Sequence, residues 1–236
     1  MRNEVPSAVI DAALVVLRQR LGMRETAIDR ERLTRFLRQE LARTPHEELG
    51  GRLRAGDPAL LERLKPAVLV GETYFYRQSS QFQCVRELAA ARLAAGATTL
   101  RAWSAGCATG EEAYSLAATL LLAARRDAPG ARVTVLGTDV LPASIEAARA
   151  GEYGHWSRRV EAPELEWLLE PLASERLRVR ADVRAATLFA VHNLLDPPPP
   201  GPWDVVMCRN VLIYLAPEPA STVREQLAAV LAPGGL

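Results

Sequence analysis

Residues 102–121 read "AWSAGCATGEEAYSLAATLL", and the fold follows from how this stretch is parsed. It begins with apolar, strand-prone residues, breaks on small residues around Gly106 and Gly110, and continues with apolar positions at helical spacing. A strand, a tight turn and a helix in that order are one unit of an α/β sheet. Two acids, Glu111 and Glu112, open the helix. Acids in a first helical turn are stabilised by the macrodipole, by about 0.3–1 kcal/mol, and need no ligand to explain them. They also repel phosphate, and the chain carries neither GxGxxG nor GxxxxGK[ST] at this turn. The turn therefore suits a ligand with a positive centre, an ammonium or a sulfonium, better than a nucleotide diphosphate. Ala105 and Gly106 would let such a ligand approach the backbone closely.

The same alternation extends outward. "TTLRAWSAG" precedes a helix from Gly110 to about Arg126, and "ARVTVLGTDV" precedes another from about Pro142 to Ala150. "TLFAVHNLL" and "WDVVMCRN" are two more β-rich runs, the second leading through "VLIYL" to a helix within "APEPASTVREQLAAVL". This pattern predicts a mostly parallel sheet with helices on both faces. The proline run 197–200 is a stiff connector outside any central strand. Residues 155–186 interrupt the alternation, and "RLRVRADVR" suggests a small antiparallel flap.

The first 70 residues read as helices only. "SAVIDAALVVLRQRL" and "DRERLTRFLRQELART" both show helical periodicity, with Asp29 as the N-cap of the second. Leu33, Phe36, Leu37 and Leu41 form its apolar stripe, while Arg35 and Arg38 point away. "PHEELGGRLRAGDPALLERL" gives two shorter helices. The expected organisation is a helical domain over 1–70, a linker and connecting helix over 71–97, and an α/β domain over 98–236 with 155–186 as an inserted subdomain.

Composition excludes several classes. With 49% hydrophobic and 24% charged residues the chain is a packed globular protein. A formal charge of +1 supports neither nucleic-acid nor anionic-membrane binding. The cysteines Cys84, Cys107 and Cys208 lack CxxC spacing, and His46, His155 and His192 lack ligand spacing, so no metal site is expected and a reduced, cytoplasmic protein fits. The apolar run near the N-terminus contains Asp11 and is too short to span a bilayer.

Ligands of open α/β sheets sit beyond the carboxyl ends of the strands. Besides the opening turn, three such ends carry polar residues: Asp139 in one, Asn193 in "HNLLD", and Arg209, Asn210 and Tyr214 in "MCRNVLIY". Asp139 is well placed to accept both hydroxyls of a ribose, with a helix N-cap as the alternative. Asn193 and Asn210 fit turn chemistry, or an adenine edge and a substrate. A ribose with a positive centre and no phosphate describes S-adenosylmethionine.

"GETYFYR" (71–77), "RAWSAGCATGEEAYSLA" (101–117), "LGTDVLPASIEAARAGEY" (136–153) and "VHNLLDPPPPGPWDVVMCRNVLIYL" (191–215) resemble, in order, the motifs of CheR-type chemoreceptor glutamate O-methyltransferases. The resemblance implies a class I methyltransferase-like, Rossmann-like α/β fold with an N-terminal helical domain. It implies methyl transfer from S-adenosylmethionine, leaving S-adenosylhomocysteine, to glutamate side chains on the cytoplasmic helices of a chemoreceptor. It also implies roles for residues. Thr73 and Arg77 would contact the cofactor, Glu112 and Glu111 would lie near its amino-acid end or ribose, and Asp139 would hold the ribose. Asn193 and Leu194 would flank the adenine with Asn210 and Val211 nearby, and Arg77 and Tyr214 would sit closest to the transferred methyl.

Gly71 stands where that family often has Asn, residues 155–186 are only loosely similar to its β-subdomain, and family members continue beyond "LAPGGL", so further C-terminal segments are expected. The alternatives are a non-catalytic S-adenosylmethionine-binding scaffold or sensor of a chemosensory pathway, or a small-molecule methyltransferase. The first 70 residues hold 13 basic against 10 acidic side chains, and the outward Arg35 and Arg38 fit either a solvated face or a surface that meets acidic receptor helices.

Overall fold

The computed structural model describes residues 5–172 and 175–236. The first four residues of the expected helical domain, and residues 173 and 174 of the expected flap, lie outside the described residues. The chain divides into two compact units, one of Met1–Val70 with Asn210–Glu225, the other of Gly71–Arg209 with Gln226–Leu236.

The helical unit begins with α1 (Ser7–Leu21), which ends on Gly22 at φ 65°. There the Gly22 N–H donates to the Arg18 carbonyl, a left-handed cap that glycine adopts without strain. Helix α2 (Arg30–Leu41) starts at Asp29, whose carboxylate accepts from the Glu31 and Arg32 N–H groups. Helices α3 (His46–Ala55) and α4 (Pro58–Val68) complete the set; α1 packs on α3 and α2 on α4. Leu33, Phe36 and Leu37 are buried as the periodicity requires, and Arg35 and Arg38 are exposed. The fourth member of the stripe differs: Leu41 is half-buried and Glu40 is buried. Glu40 is accommodated because Arg63 of α4 donates to both its oxygens, at 3.2 and 2.7 Å. Residues 210–225 join this unit through backbone pairing. The Arg24 N–H donates to the Tyr214 carbonyl (2.9 Å) and the Ala216 N–H to the Gly22 carbonyl (2.7 Å).

The other unit opens with α5 (Ser79–Ala94), then β1 (Thr99–Ala105), α6 (Glu111–Asp127), β2 (Arg132–Asp139) and α7 (Pro142–Ala150). A short β3 (Glu152–Tyr153), α8 (Pro163–Leu168), β4 (Leu169–Leu172), β5 (Arg176–Val179) and α9 (Ala181–Ala185) follow. Strands β6 (Thr187–Val191) and β7 (Val205–Met207) come next, and α10 (Pro217–Ala229) belongs to the helical unit up to Glu225 and to this unit from Gln226. The main sheet runs β6-β2-β1-β7 with every pair parallel. Alternation along β1 separates two cores. Leu100 and Ala102 face the larger cluster with α5, α6 and α7, while Trp103 and Ala105 face a smaller one with Trp203, Leu227 and Val230.

The flap is a separate antiparallel sheet, β3-β5-β4. Leu177 and Val179 point inward, and Arg176 and Arg178 both meet Glu152. The alternation of "RLRVRADVR" stops at Val179. Asp182 accepts the Val183 N–H (3.0 Å) and "ADVRA" coils into α9. A polar side chain bonding its own backbone competes with the ladder, which is why the strand pattern ends there. Among the described residues no helix is long and apolar enough to cross a membrane.

Candidate cofactor site at the carboxyl ends of the strands

From β1 the chain builds outward through β2 to β6, then returns to place β7 on β1's other side. That reversal makes the carboxyl ends of β1 and β7 the switch point at which α/β sheets bind ligands. The turn after β1 is held by Thr138, whose carbonyl accepts the N–H groups of both Gly106 and Cys107 at 2.8 Å. Ala108 (φ 47°) and Gly110 (φ 97°) take left-handed conformations. A Cβ at Gly110 would lie 2.8 Å from the Ala148 Cβ, so this close approach requires glycine. The Ala108 N–H, a donor that a phosphate-binding turn would offer its ligand, is taken by Asp139 Oδ2 at 2.9 Å. An internal carboxylate thus occupies the anion position, the geometric form of the charge argument made from the sequence.

The two acids of α6 differ in use. Glu111 is buried and satisfied: Thr109 donates to one oxygen (2.7 Å) and Ser157 to the other (2.8 Å). Glu112 accepts from Ser104 of β1 at 2.8 Å through one oxygen, while its other oxygen lies 3.4 Å from Arg209 Nη1. That approach lacks hydrogen-bond geometry, and Nε and Nη1 of Arg209 are buried with no hydrogen-bond partner. The remaining nitrogen, Nη2, donates to the Arg77 carbonyl and to Gln78 Oε1. Burial pushes the carboxyl groups of Glu112 and Glu111 above the usual range, opposed at Glu112 by the Arg209 charge, and lowers the Arg209 guanidinium. Asp139 is raised by burial too, against the backbone N–H groups of Leu141 and Ala108.

Asp139 plays the structural role its position allowed, since Oδ1 accepts the Leu141 N–H (2.9 Å) ahead of α7. Its backbone carbonyl takes the His192 N–H (2.9 Å), which brings the end of β6, with Asn193 and Leu194, beside it. Asn193 Oδ1 accepts the Leu195 N–H (3.1 Å), and Leu194 packs against the Trp103 cluster. Thr73 is half-buried, and Arg77 donates from Nη1 to the Glu72 carbonyl at 2.9 Å. Ala105, Gly106, Glu111, Glu112, Asp139, Asn193 and Arg77 therefore belong to the sheet-containing unit. Asn210 (φ 56°), Val211 and Tyr214 belong to the helical one, where a turn at Leu212–Tyr214 carries the Tyr214 side chain half-buried.

Two participants were not assigned from sequence, Arg209 and Ser104. The signal for Arg209 was present, because it is the sole charged residue in the apolar run 205–215. Ser104 carried no local mark. Burial raises the thiols, Cys208 to about 12 and Cys107 well above its usual value, so neither is a thiolate nucleophile. Among the described residues no group of three or more His, Cys, Asp or Glu side chains could hold a metal ion.

Carboxylates beside an incompletely satisfied guanidinium thus lie at the switch point of a parallel α/β sheet that offers no phosphate cradle. The family model described as "CheR methyltransferase, SAM binding domain" matches residues 71–236. A "Chemotaxis protein methyltransferase" of Vibrio parahaemolyticus is 32% identical over 72% of this chain and 63% of its own. The "Probable biofilm formation methyltransferase WspC" of Pseudomonas putida is 35% identical over 93% of this chain and 53% of its own. A 104.1 kDa protein of Rhodobacter capsulatus is 35% identical over 76% of this chain and 19% of its own. The chain belongs to the CheR methyltransferase family and carries its S-adenosylmethionine-binding domain. It spans less than two thirds of the length of each of these relatives.

The residues present fit that cofactor. Nε and Nη1 of Arg209, which make no hydrogen bond, match a carboxylate, the Glu112 oxygen 3.4 Å from Nη1 matches an ammonium, and Asp139 has lone pairs left for hydroxyl donors.

Proposed function

We propose that this protein transfers a methyl group from S-adenosylmethionine to glutamate carboxylates on the cytoplasmic helices of a chemoreceptor, and that it acts in the cytoplasm. The observation that carries the reading is the Glu112–Arg209 pair: two half-buried opposite charges 3.4 Å apart, with Nε and Nη1 of the arginine left without hydrogen bonds. At the carboxyl end of β1, such a pair suits the zwitterionic end of an amino acid. The cofactor supplies an electrophilic methyl on a positively charged sulfur.

What the chain adds is placement. Arg209 and Glu112 hold the amino-acid end, Asp139 the ribose, and Asn193 and Leu194 the adenine, with Asn210 and Val211 assigned beside it by the family motif. Thr73 belongs with the cofactor contacts, and Ala105 and Gly106 keep the floor low enough for close approach. A glutamate acceptor, with a reference pKa near 4.3, is already ionised at neutral pH and attacks without a general base. The high thiols of Cys107 and Cys208 agree with a reaction that needs no protein nucleophile. With the cofactor bound, its methyl would pass to the carboxylate oxygen and the bonding electrons would remain on sulfur, leaving S-adenosylhomocysteine. Alignment of oxygen, carbon and sulfur contributes about 7–11 kcal/mol.

Arg77 orients the incoming carboxylate rather than activating it, since a tight ion pair makes the oxygen a poorer nucleophile. Tyr214 positions the reacting partners. The exposed Arg35 and Arg38 of α2 meet the acidic receptor helices. Incubation with methyl-labelled cofactor and receptor fragments tests the reading: base-labile label on glutamates supports it. Tight binding of the fragments without label would favour a non-catalytic scaffold, and label on a small molecule alone would end the receptor assignment.

A further inference from the structure

Arg77 lies between two residues of unusual backbone, Tyr76 at φ 52° and Gln78 at φ 55°. A bulky residue in the left-handed region is strained and persists only where its surroundings over-determine it. On the inner side they do so. The Tyr76 ring is buried edge-on to Phe82 at 4.9 Å, and its N–H donates to Ser115 Oγ at 3.0 Å. Arg209 holds the Arg77 carbonyl.

The outer side is governed by the turn His155–Ser157 and the residues after it. The Phe75 N–H donates to the Ser157 carbonyl at 3.0 Å. Arg159 Nη1 bonds Glu72 Oε1 at 2.8 Å, and its Nε donates to the Trp156 carbonyl at 3.1 Å. Its guanidinium lies 4.1 Å from the ring of Trp156 and 5.1 Å from that of Tyr74. Arg77 uses the same two residues from the other direction: Nη1 donates to the Glu72 carbonyl, and the guanidinium lies 5.6 Å from the Tyr74 ring. Arg77 and Arg159 thus share Glu72 and Tyr74 as partners, one through the Glu72 carbonyl and the other through its carboxylate.

We propose that Arg159 is a positioning residue for Arg77, acting through Glu72 and Tyr74. The proposal rests on Arg77 being the residue that orients the acceptor carboxylate. As a surface ion pair alone, Arg159–Glu72 would matter little, because Glu72 is more than half exposed. As a positioning device it matters for turnover, because small misplacements of an orienting group carry large rate penalties.

The experiment is a double-mutant cycle in the full chain with Arg159→Ala and Arg77→Ala, combined with a crystal structure of Arg159→Ala. Arg159→Ala is expected to lower kcat about tenfold or more with the thermal midpoint unchanged, and to cause no further loss in the Arg77→Ala background. Arg159→Lys keeps the charge but not the planar stack and should not restore turnover. In the crystal the Arg77 guanidinium should leave the Glu72 carbonyl. Equal losses in both backgrounds, full rescue by lysine, or an undisplaced Arg77 would overturn the proposal. A wild-type protein that never methylates carboxylates would instead sink the functional reading, and the position of Arg77 in the crystal would still decide the role of Arg159.

Discussion

Each unit of this protein sets a largely enclosed glutamate against an arginine, and the two pairs are built differently. Glu40 in the helical unit is held through both oxygens by Arg63, and that partner lowers its carboxyl below the usual range. Glu112 in the sheet-containing unit meets Arg209 at 3.4 Å without a hydrogen bond, and burial raises its carboxyl above the usual range. The first pair is self-sufficient and reads as architecture. The second is incomplete and reads as a receptor for something with both signs of charge. Burial of a charge therefore does not by itself mark a site; how its hydrogen bonds are completed, and where it lies on the sheet, also count.

The comparison breaks most readily at Arg209. Arg209→Ala removes the ion-pair partner of Glu112 and should weaken S-adenosylhomocysteine binding by about 2–5 kcal/mol, measured by calorimetry. Affinity within a few-fold of wild type would make this pair architectural as well. Asp139→Asn tests the neighbouring carboxylate. Its two backbone acceptor bonds are partly kept, so the expected loss in cofactor affinity is smaller, about 1.5–3 kcal/mol. Glu40→Ala should do the reverse, costing about 1–2 kcal/mol of stability in denaturant titrations, discounted because Arg63 is 45% exposed, and leaving cofactor affinity alone. A change in affinity there would erase the distinction between the pairs.

Tyr214→Phe should slow methyl transfer severalfold with cofactor affinity nearly intact, since it removes one hydroxyl contact. An unchanged rate, or binding lost in calorimetry, would end its assigned role.

The smallest effect is in the proton balance, where the two pairs have opposite signs. Glu40 is lowered on folding, so its contribution is present above the ordinary glutamate pKa and is lost as pH falls through the lowered value. Glu111, Glu112 and Asp139 are raised, so their protonated forms favour the fold below the ordinary carboxylate range, and that contribution is lost as pH rises through the raised values. A cationic ligand stabilises the ionised forms. S-adenosylmethionine should therefore bind more tightly as pH rises through that window, releasing a fraction of a proton. Calorimetry in buffers of different ionisation enthalpy reads this directly, and proton uptake would contradict a cationic group beside these acids.

Much of this was legible before any coordinates. Asp29 caps α2 because a short acidic side chain reaches the first free N–H groups, a purely local arrangement. The strand–turn–helix of residues 99–127 follows from periodicity and from the small residues at the turn. The local patterns misled where side chains answered to distant partners or to their own backbone. Glu40 took a buried place on α2 that periodicity reserved for Leu41, because Arg63 lies 23 residues away in the chain and beside it in space. The segment "ADVRA" left the strand pattern when Asp182 turned to its neighbour's N–H.

By itself the amino-acid sequence determined the alternation of main-sheet strands with helices, the lack of a glycine-rich phosphate motif, and the motif set that places the chain in its family. These depend on side-chain periodicity, turn residues and short spacings, which act over a few residues. Only the tertiary structure decided which acid of the pair is satisfied and which is left open, that Arg209 answers Glu112, and that Arg159 reaches Glu72 across 87 residues. Pairing and desolvation of charges depend on what the fold brings within a few ångströms, and no local pattern encodes that distance.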